Sequence, residues 1–181
     1  MRWIAGALFA LMWMPALAAD PSASLYQLHE KLDDQEGRAI GLDVHRGHPV
    51  LVTMFYASCP DTCPLIVETL RDIERQLDET QRRQVRVLLI SFDAEHDTPQ
   101  ALTALAQTRH IDTSRWTLAH ADAATVRRIA AALNVQYRQL PSGTFSHSTM
   151  ISVLGKRGEI AFQSAKLGRA DPELVAALLA Q

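Results

Sequence analysis

The chain places its only two cysteines, Cys59 and Cys63, four positions apart at the junction between an apolar run and a helical pattern. Residues 50–56 (VLVTMFY) are almost continuously apolar and rich in β-forming side chains, which is typical of a strand buried inside a sheet. Beyond the cysteines, apolar residues recur at helical spacing through residues 65–77, with charged residues between them. The pattern predicts a buried strand that ends in a thiol-bearing loop and continues into a helix.

The rest of the chain alternates β-rich runs with helical patterns that begin at good capping residues. Strands are predicted at residues 25–28, 39–44, 50–56, 85–92 and 116–118, with a late hairpin at 150–154 and 159–163; helices are predicted at residues 65–77, from Asp97-Thr98-Pro99, from Asp122 to about Leu133 and from Asp171-Pro172. This alternation indicates an α/β domain with three layers. A dithiol after the first buried strand makes it a thioredoxin-like three-layer fold with an N-terminal β-hairpin extension.

The first nineteen residues have the pattern of an export signal. Arg2 is the only charged residue there, residues 3–14 are apolar, and Ala16-Leu17-Ala18-Ala19 offers small residues for cleavage. We expect a signal peptide at residues 1–19 and one domain at residues 20–181, exported to the periplasm of a bacterium. The alternative is an uncleaved segment, which would tie the protein to the membrane.

Composition excludes several classes of protein. The formal net charge is −2 and no basic block occurs, so we expect no nucleic-acid partner. No Met-rich or His-rich tract is present, which argues against storage of copper at many sites. Two cysteines in an oxidising compartment tend to pair, but a bridge over so short a loop stabilises little. We therefore expect the two thiols to act in disulfide exchange or metal binding rather than to stabilise the fold.

The expected start of the helix beside Cys63 favours a thiolate. Proline is well tolerated at the first helical position, so we predict that the helix begins at Pro64 and that Cys63 caps it. The positive end of the helix dipole stabilises a thiolate, which is both a nucleophile and a ligand for soft metals. Two thiolates and a third neutral donor suit Cu(I), whereas the cysteines are too few for the usual structural zinc sites. Disulfide exchange and copper binding both remain open.

Seven histidines compete for the place of that third donor. His45 and His48 flank a turn glycine and are expected to be solvated. His147 lies in a segment just before the late hairpin, and in a thioredoxin-like fold this segment lies beside the start of the first helix. For His147, a ligand role and an ordinary surface position both stay open on the residues alone.

The chain resembles the Sco/SenC family of thioredoxin-fold copper chaperones over residues 25–179. The strongest match is Phe55-Tyr56-Ala57-Ser58-Cys59-Pro60-Asp61-Thr62-Cys63-Pro64; a second is Ser91-Phe92-Asp93-Ala94-Glu95-His96-Asp97-Thr98-Pro99, and a third is His147-Ser148 before an aliphatic strand. The resemblance implies a copper ion bound by Cys59, Cys63 and His147. It departs from the family at Ser146, where many members carry an aspartate that could orient the imidazole.

The resemblance also implies a function. Family members assist delivery of copper to the binuclear copper site of cytochrome c oxidase, so the expected partner is the oxidase subunit that carries this site or another periplasmic copper protein. This would make the protein a chaperone rather than an enzyme. The alternative is a thiol-disulfide oxidoreductase in which Cys59 and Cys63 are redox-active and keep partner cysteines reduced. A peroxidase of the peroxiredoxin type is a third possibility, but Tyr56 stands where that group places threonine.

Overall fold

A single mixed sheet forms the centre of the protein. The computed structural model describes residues 24–59 and 62–181, with only the backbone of residues 62 and 63. In this part of the chain, seven strands pair in the order β2-β1-β5-β4-β3-β8-β9, and β6 and β7 form a separate antiparallel pair. The strands are β1 (Lys31–Asp34), β2 (Ala39–Gly41), β3 (Val50–Phe55), β4 (Arg86–Ser91), β5 (Trp116–His120), β6 (Tyr137–Gln139), β7 (Phe145–His147), β8 (Ile151–Leu154) and β9 (Ile160–Ser164).

The central strands are covered on both faces. All six residues of β3 and all four of β8 are buried. Because successive side chains point to opposite faces of a sheet, this burial requires packing layers on each side. β3 is parallel to β4 and antiparallel to β8. The predicted mixed α/β architecture of three layers is confirmed.

Helices connect the strands and begin largely where capping residues predict. They are α1 (Thr62–Arg75), α2 (Glu79–Gln84), α3 (Pro99–Thr108), α4 (Ala123–Ala132) and α5 (Pro172–Leu179). Side-chain oxygens of Thr98, Asp122 and Asp171 accept hydrogen bonds from the first-turn N–H groups of α3, α4 and α5. These N-caps satisfy donors that have no partner inside the helix.

The predicted start of α1 at Pro64 is wrong by two residues. The helix begins at Thr62, which places Cys63 second and Pro64 third in its first turn. This is physically allowed because the first four N–H groups of a helix have no intrahelical partner, so proline there costs no hydrogen bond.

The N-terminal hairpin is present, but it is built from other residues than predicted. Residues 25–28 form a 3₁₀ helix capped by Ser24 instead of a strand. The hairpin pairs β1 with β2, and β1 joins the edge of the sheet through β5. The short helix α2 and the β6–β7 pair were not predicted from the sequence.

The signal peptide predicted at residues 1–19 lies outside the described residues. No helix in the described part of the chain combines the length and apolar character needed to cross a membrane. Ser24, the first described residue, bonds through its hydroxyl to the carbonyl of Arg157, and Leu25 N–H donates to Gly158 O at 2.8 Å. The first described residues therefore lie against the β8–β9 turn.

Candidate metal centre

The thiol-bearing loop begins at the carboxyl end of the buried strand β3. Tyr56 and Cys59 form a tight turn in which the N–H of Cys59 donates to the carbonyl of Tyr56 at 3.3 Å. Cys59 is 7 % exposed and belongs to the hydrophobic core. The backbone of Cys63 lies in the first turn of α1. The strand end and the helix start thus bring both cysteine positions to one edge of the sheet.

A buried carboxylate from the second motif anchors this loop. Asp97 is 2 % exposed, and its Oδ2 accepts the N–H of Ala57 at 2.8 Å. The same oxygen accepts the hydroxyl of Ser91 at 2.5 Å. Burial raises the pKa of Asp97, although the two hydrogen bonds oppose the shift. Asp97 therefore fixes the backbone two residues before Cys59.

The rest of the second motif folds back to hold Asp97. Asp93 N–H donates to Ser91 Oγ at 3.0 Å, and Asp97 N–H donates to the carbonyl of Asp93 at 3.2 Å. The Nδ1 of His96 lies 2.9 Å from Asp93 Oδ1, and this hydrogen bond raises the pKa of His96. The His96 side chain is otherwise exposed, so this histidine braces the loop from outside.

His147 reaches the same edge on the β6–β7 hairpin. It is the last residue of β7 and lies opposite Tyr137 in the pairing register. Its ring centroid lies 6.0 Å from that of Tyr56, edge to face, and 4.9 Å from that of Phe92. His147, the predicted third donor, therefore packs on Tyr56, whose carbonyl accepts the N–H of Cys59.

The His147 ring belongs to a cluster of aromatic side chains. The ring of Phe92 lies within 5.3 Å, centroid to centroid, of four others: Tyr56, Tyr137, Phe145 and His147. Offset and edge-on ring pairs of this kind add to the burial of apolar area. The cluster joins the ends of β3 and β4 to the hairpin.

A backbone carbonyl orients the imidazole. The Nδ1–H of His147 donates to the carbonyl of Ser148 at 3.1 Å. This tautomer leaves the lone pair of Nε2 for a ligand, an arrangement common for metal-binding histidines. Ser146, which stands where many family members carry an aspartate, is exposed and lies opposite Arg138 in the register of β6 and β7. The orienting role falls to a carbonyl on the other side of His147.

Three other histidines, His45, His48 and His120, have partners of their own in the fold. The expectation that His45 is solvated is wrong: its Nε2 lies 3.0 Å from Thr117 Oγ1, and burial, aided by the nearby Arg86 charge, lowers the pKa of His45 to about 4. His48 Nδ1 bonds to the carbonyl of Gln84 at 2.9 Å. His120 lies 3.9 Å from Asp33.

The donors fit a soft metal ion by their chemistry. A thiolate and an imidazole whose Nδ1 is already bonded match the preferences of copper. Within residues 24–59 and 62–181, no three described side chains of His, Cys, Asp or Glu are grouped so that they could hold a metal ion. The side chain of Cys63 is not among those described, so the set of Cys59, Cys63 and His147 stays a prediction.

Sequence reasoning missed the residues that hold the donors in place. In the sequence, Ser91 stands out only as part of the second motif, and Asp97 as part of that motif and of a predicted helix start; the motif is the signal for their role. Tyr137 and Phe145 gave no signal, because they become neighbours only when β6 pairs with β7. Phe92 belongs to the second motif and ends the strand predicted at residues 85–92, but neither pattern indicates which rings it contacts.

Comparisons with known proteins agree with this architecture. The family model described as SCO1/SenC matches residues 20–180. The SCO2-like protein of Rickettsia prowazekii is 28 % identical over 114 residues, which cover 58 % of this chain and 55 % of the relative. The matched stretches span about half the length of the curated relatives.

Solved structures share the fold at low sequence identity. Bradyrhizobium japonicum ScoI with copper bound is 23 % identical, with a TM-score of 0.70, over 83 % of this chain and 95 % of ScoI. BsSco, described as a member of the Sco family of cytochrome c oxidase assembly proteins with a disulfide switch, is 16 % identical, with a TM-score of 0.68, over 83 % of this chain and 89 % of BsSco. Because the family model matches nearly the whole chain, the protein belongs to the SCO1/SenC family.

Proposed function

We propose that this protein binds one copper ion through Cys59, Cys63 and His147 and passes it on during assembly of the binuclear copper site of cytochrome c oxidase. Copper is cargo in this proposal, and the protein is a chaperone. Its partner would be the oxidase subunit that carries this copper site or another periplasmic copper protein. The domain would work in the periplasm, either released from its N-terminal segment or tied to the membrane by it.

The observation that carries the proposal is the position of the His147 ring against Tyr56. Tyr56 precedes Cys59 by three residues and accepts its N–H, so an imidazole donor reaches the thiol loop from a distant part of the chain. Two thiolates with one neutral nitrogen form a trigonal set that suits Cu(I). Membership of the SCO1/SenC family and the copper bound to the Bradyrhizobium relative support the same ligand.

The protein's own residues supply binding and orientation. The backbone near Cys59 is held by Asp97, and His147 is held by Ser148 and the aromatic cluster. A site held in this way needs little reorganisation to accept the ion. When bound, the copper ion is itself the cargo that is transferred.

A thiol-disulfide oxidoreductase is the second candidate, and the position of Cys63 in the first turn of the fourteen-residue helix α1 favours it. A thiolate there would be stabilised by the helix dipole. It would attack a partner disulfide, and the other cysteine would then displace the partner, which leaves two partner thiols and an oxidised Cys59–Cys63 pair. This reaction needs no imidazole.

The direct test is Cu(I) titration of the reduced protein, followed by X-ray absorption. We expect one ion per chain with two sulfur ligands and one nitrogen ligand, and loss of the nitrogen in His147→Ala. His96→Ala is the matched control, since His96 belongs to the second motif and its ring bonds Asp93. A nitrogen ligand that persists unchanged in His147→Ala would refute the assignment.

A further inference from the structure

The hairpin that carries His147 has little support from the main sheet. β6 and β7 pair with each other and with no other strand of the described chain. The open end of the pair is closed by Ser148, whose N–H donates to Gln136 O at 2.8 Å and whose Oγ accepts Gln136 N–H at 2.9 Å. An isolated two-stranded hairpin is marginally stable in water, so its position must come from side-chain packing.

Phe92 and Tyr56 are the two residues at the ends of the central strands on which the rings of this hairpin pack, and Phe92 contacts more of them. The N–H of Phe92 donates to the carbonyl of Phe55 at 2.9 Å, which continues the parallel pairing of β3 and β4 past their ends. The Phe92 side chain is 2 % exposed. Its ring contacts one residue of β6, Tyr137, and two of β7, Phe145 and His147.

The neighbours of Phe92 in the chain hold the other half of the site. Ser91 donates to Asp97, and Asp97 accepts the N–H of Ala57 in the loop before Cys59. The segment of residues 91–97 therefore contacts the thiol-bearing loop through Asp97, and its Phe92 ring contacts both Tyr56 in that loop and the β6–β7 hairpin. Its backbone is fixed by β3, so both halves of the site share one support.

We propose that Phe92 is the positioning residue of His147: its ring, fixed at the end of β4, docks the β6–β7 hairpin and thereby sets the place of the imidazole. Phe92 does not touch the ion in this proposal. The Phe92 ring acts by packing on His147 and on the two other aromatic residues of the hairpin, Tyr137 and Phe145. The inference rests on the copper site proposed above.

The first test uses the reduced, metal-free protein, so it does not depend on copper. Amide hydrogen exchange is measured for wild type and Phe92→Leu, which keeps an apolar side chain but removes the ring. We expect the amide of Ser148 and those that pair β6 with β7 to exchange at least about tenfold faster, with the amides of β3 and β8 unchanged, because hairpin opening is local.

Leu88→Ala is the matched control for the exchange test. Leu88 is fully buried in β4, the strand that ends one residue before Phe92, and is not in the aromatic cluster. Its truncation should speed exchange across the core and the hairpin alike, which separates general destabilisation from loss of docking. Hairpin exchange in Phe92→Leu that matches wild type, or that rises only in step with the core as in Leu88→Ala, would overturn the proposal.

The second test reads the ligand directly. In the Cu(II) form of wild type, electron paramagnetic resonance should show coupling to one imidazole nitrogen that disappears in His147→Ala. In Phe92→Leu this coupling should be weakened or lost, and copper affinity should fall by about 10- to 100-fold, the usual effect of residues that orient a ligand. The thiolate-to-copper absorption should remain, since Asp97 still anchors the thiol loop.

The outcomes separate the two proposals. If wild type shows no nitrogen coupling that depends on His147, the copper site proposed above fails, and the exchange test alone decides the role of Phe92. Suppose instead that wild type shows this nitrogen coupling. If Phe92→Leu and Leu88→Ala both keep the coupling and the copper affinity of wild type, Phe92 is only a core residue.

Discussion

Asp97 and Ala57 are separated by forty positions in the chain, yet the Asp97 carboxylate accepts the Ala57 N–H at 2.8 Å. The carboxylate is buried, and its second donor is the hydroxyl of Ser91 at the end of β4. One side chain thus ties the thiol-bearing loop after β3 to the strand beside it. Since Cys59 lies two residues beyond Ala57, this bond limits where the thiol can lie.

Removing the carboxylate should therefore loosen the loop. In Asp97→Ala, the Ala57 N–H and the Ser91 hydroxyl lose their acceptor in a buried place, and the free energy of unfolding should fall by about 1–3 kcal/mol. Asp97→Asn keeps a carbonyl oxygen at the same position and should lose less. Urea unfolding of the reduced, metal-free protein measures both.

The exposed carboxylate Asp33 offers the control for this pair, and Asp33→Ala should change stability little. Equal losses in Asp97→Asn and Asp97→Ala would mean that the negative charge, rather than the acceptor, stabilises the loop.

His147→Ala should separate copper delivery from thiol exchange. We expect copper binding to weaken strongly, because one of three donors is gone, while the rate of reaction with a small disulfide stays about the same. That rate follows thiolate character and access at the cysteines. In cells at low copper, oxidase activity should fall and added copper should restore part of it.

The reductase alternative makes the opposite forecast for cells. If His147→Ala supports full oxidase assembly at low copper while Cys59→Ser and Cys63→Ser both fail, the protein is a thiol reductase and not a copper donor. His96→Ala again serves as the histidine control.

Cys59→Ser and Cys63→Ser should each abolish tight copper binding and leave the protein folded. Cys59 lies in the core, so placing a hydroxyl there should lower the free energy of unfolding by about 1–2 kcal/mol. Thermal unfolding of reduced, metal-free variants measures this, with Cys59→Ala as the apolar control. A loss in Cys59→Ala as large as a core cavity, about 3 kcal/mol or more, would show that Cys59 serves mainly for packing.

Acid should weaken the fold through His45. Its pKa is about 4 in the folded protein, against about 6.5 in an unfolded chain, so protons bind first to the unfolded state. The contribution of neutral His45 to the free energy of unfolding is fully present above about pH 6.5, and it is lost as the pH falls from about 6.5 to about 4. With allowance for partial exposure of the ring, the loss should be about 1–3 kcal/mol.

Unfolding by urea at several pH values tests this dependence. His45→Gln can still bond Thr117 but does not titrate, so its stability should vary less between pH 6.5 and pH 4. His29→Gln, which removes a histidine at an exposed position, is the matched control. Parallel pH curves for wild type and His45→Gln would rule out His45 as the source.

Local patterns in the sequence determined many of the strands and helix starts. The unbroken apolar run of β3 predicted a strand covered on both faces, and Thr98, Asp122 and Asp171 predicted helix starts, because each depends on residues close together in the chain. Family membership followed from three short motifs for the same reason. Local signals were weaker at residues 25–28, where a capping serine produced a 3₁₀ turn in place of a strand.

Only the tertiary structure decided how the candidate donors are held. His147 packs against Tyr56 and Phe92 because β6 pairs with β7, and Asp97 reaches Ala57 because β4 lies beside β3. The same kind of contact gave His45 its buried partner, Thr117. These bonds join residues that are distant in the chain, and their energies come from burial and geometry, which no local pattern records. The sequence by itself named the thiols and the histidine; the packed fold determined what surrounds and orients them.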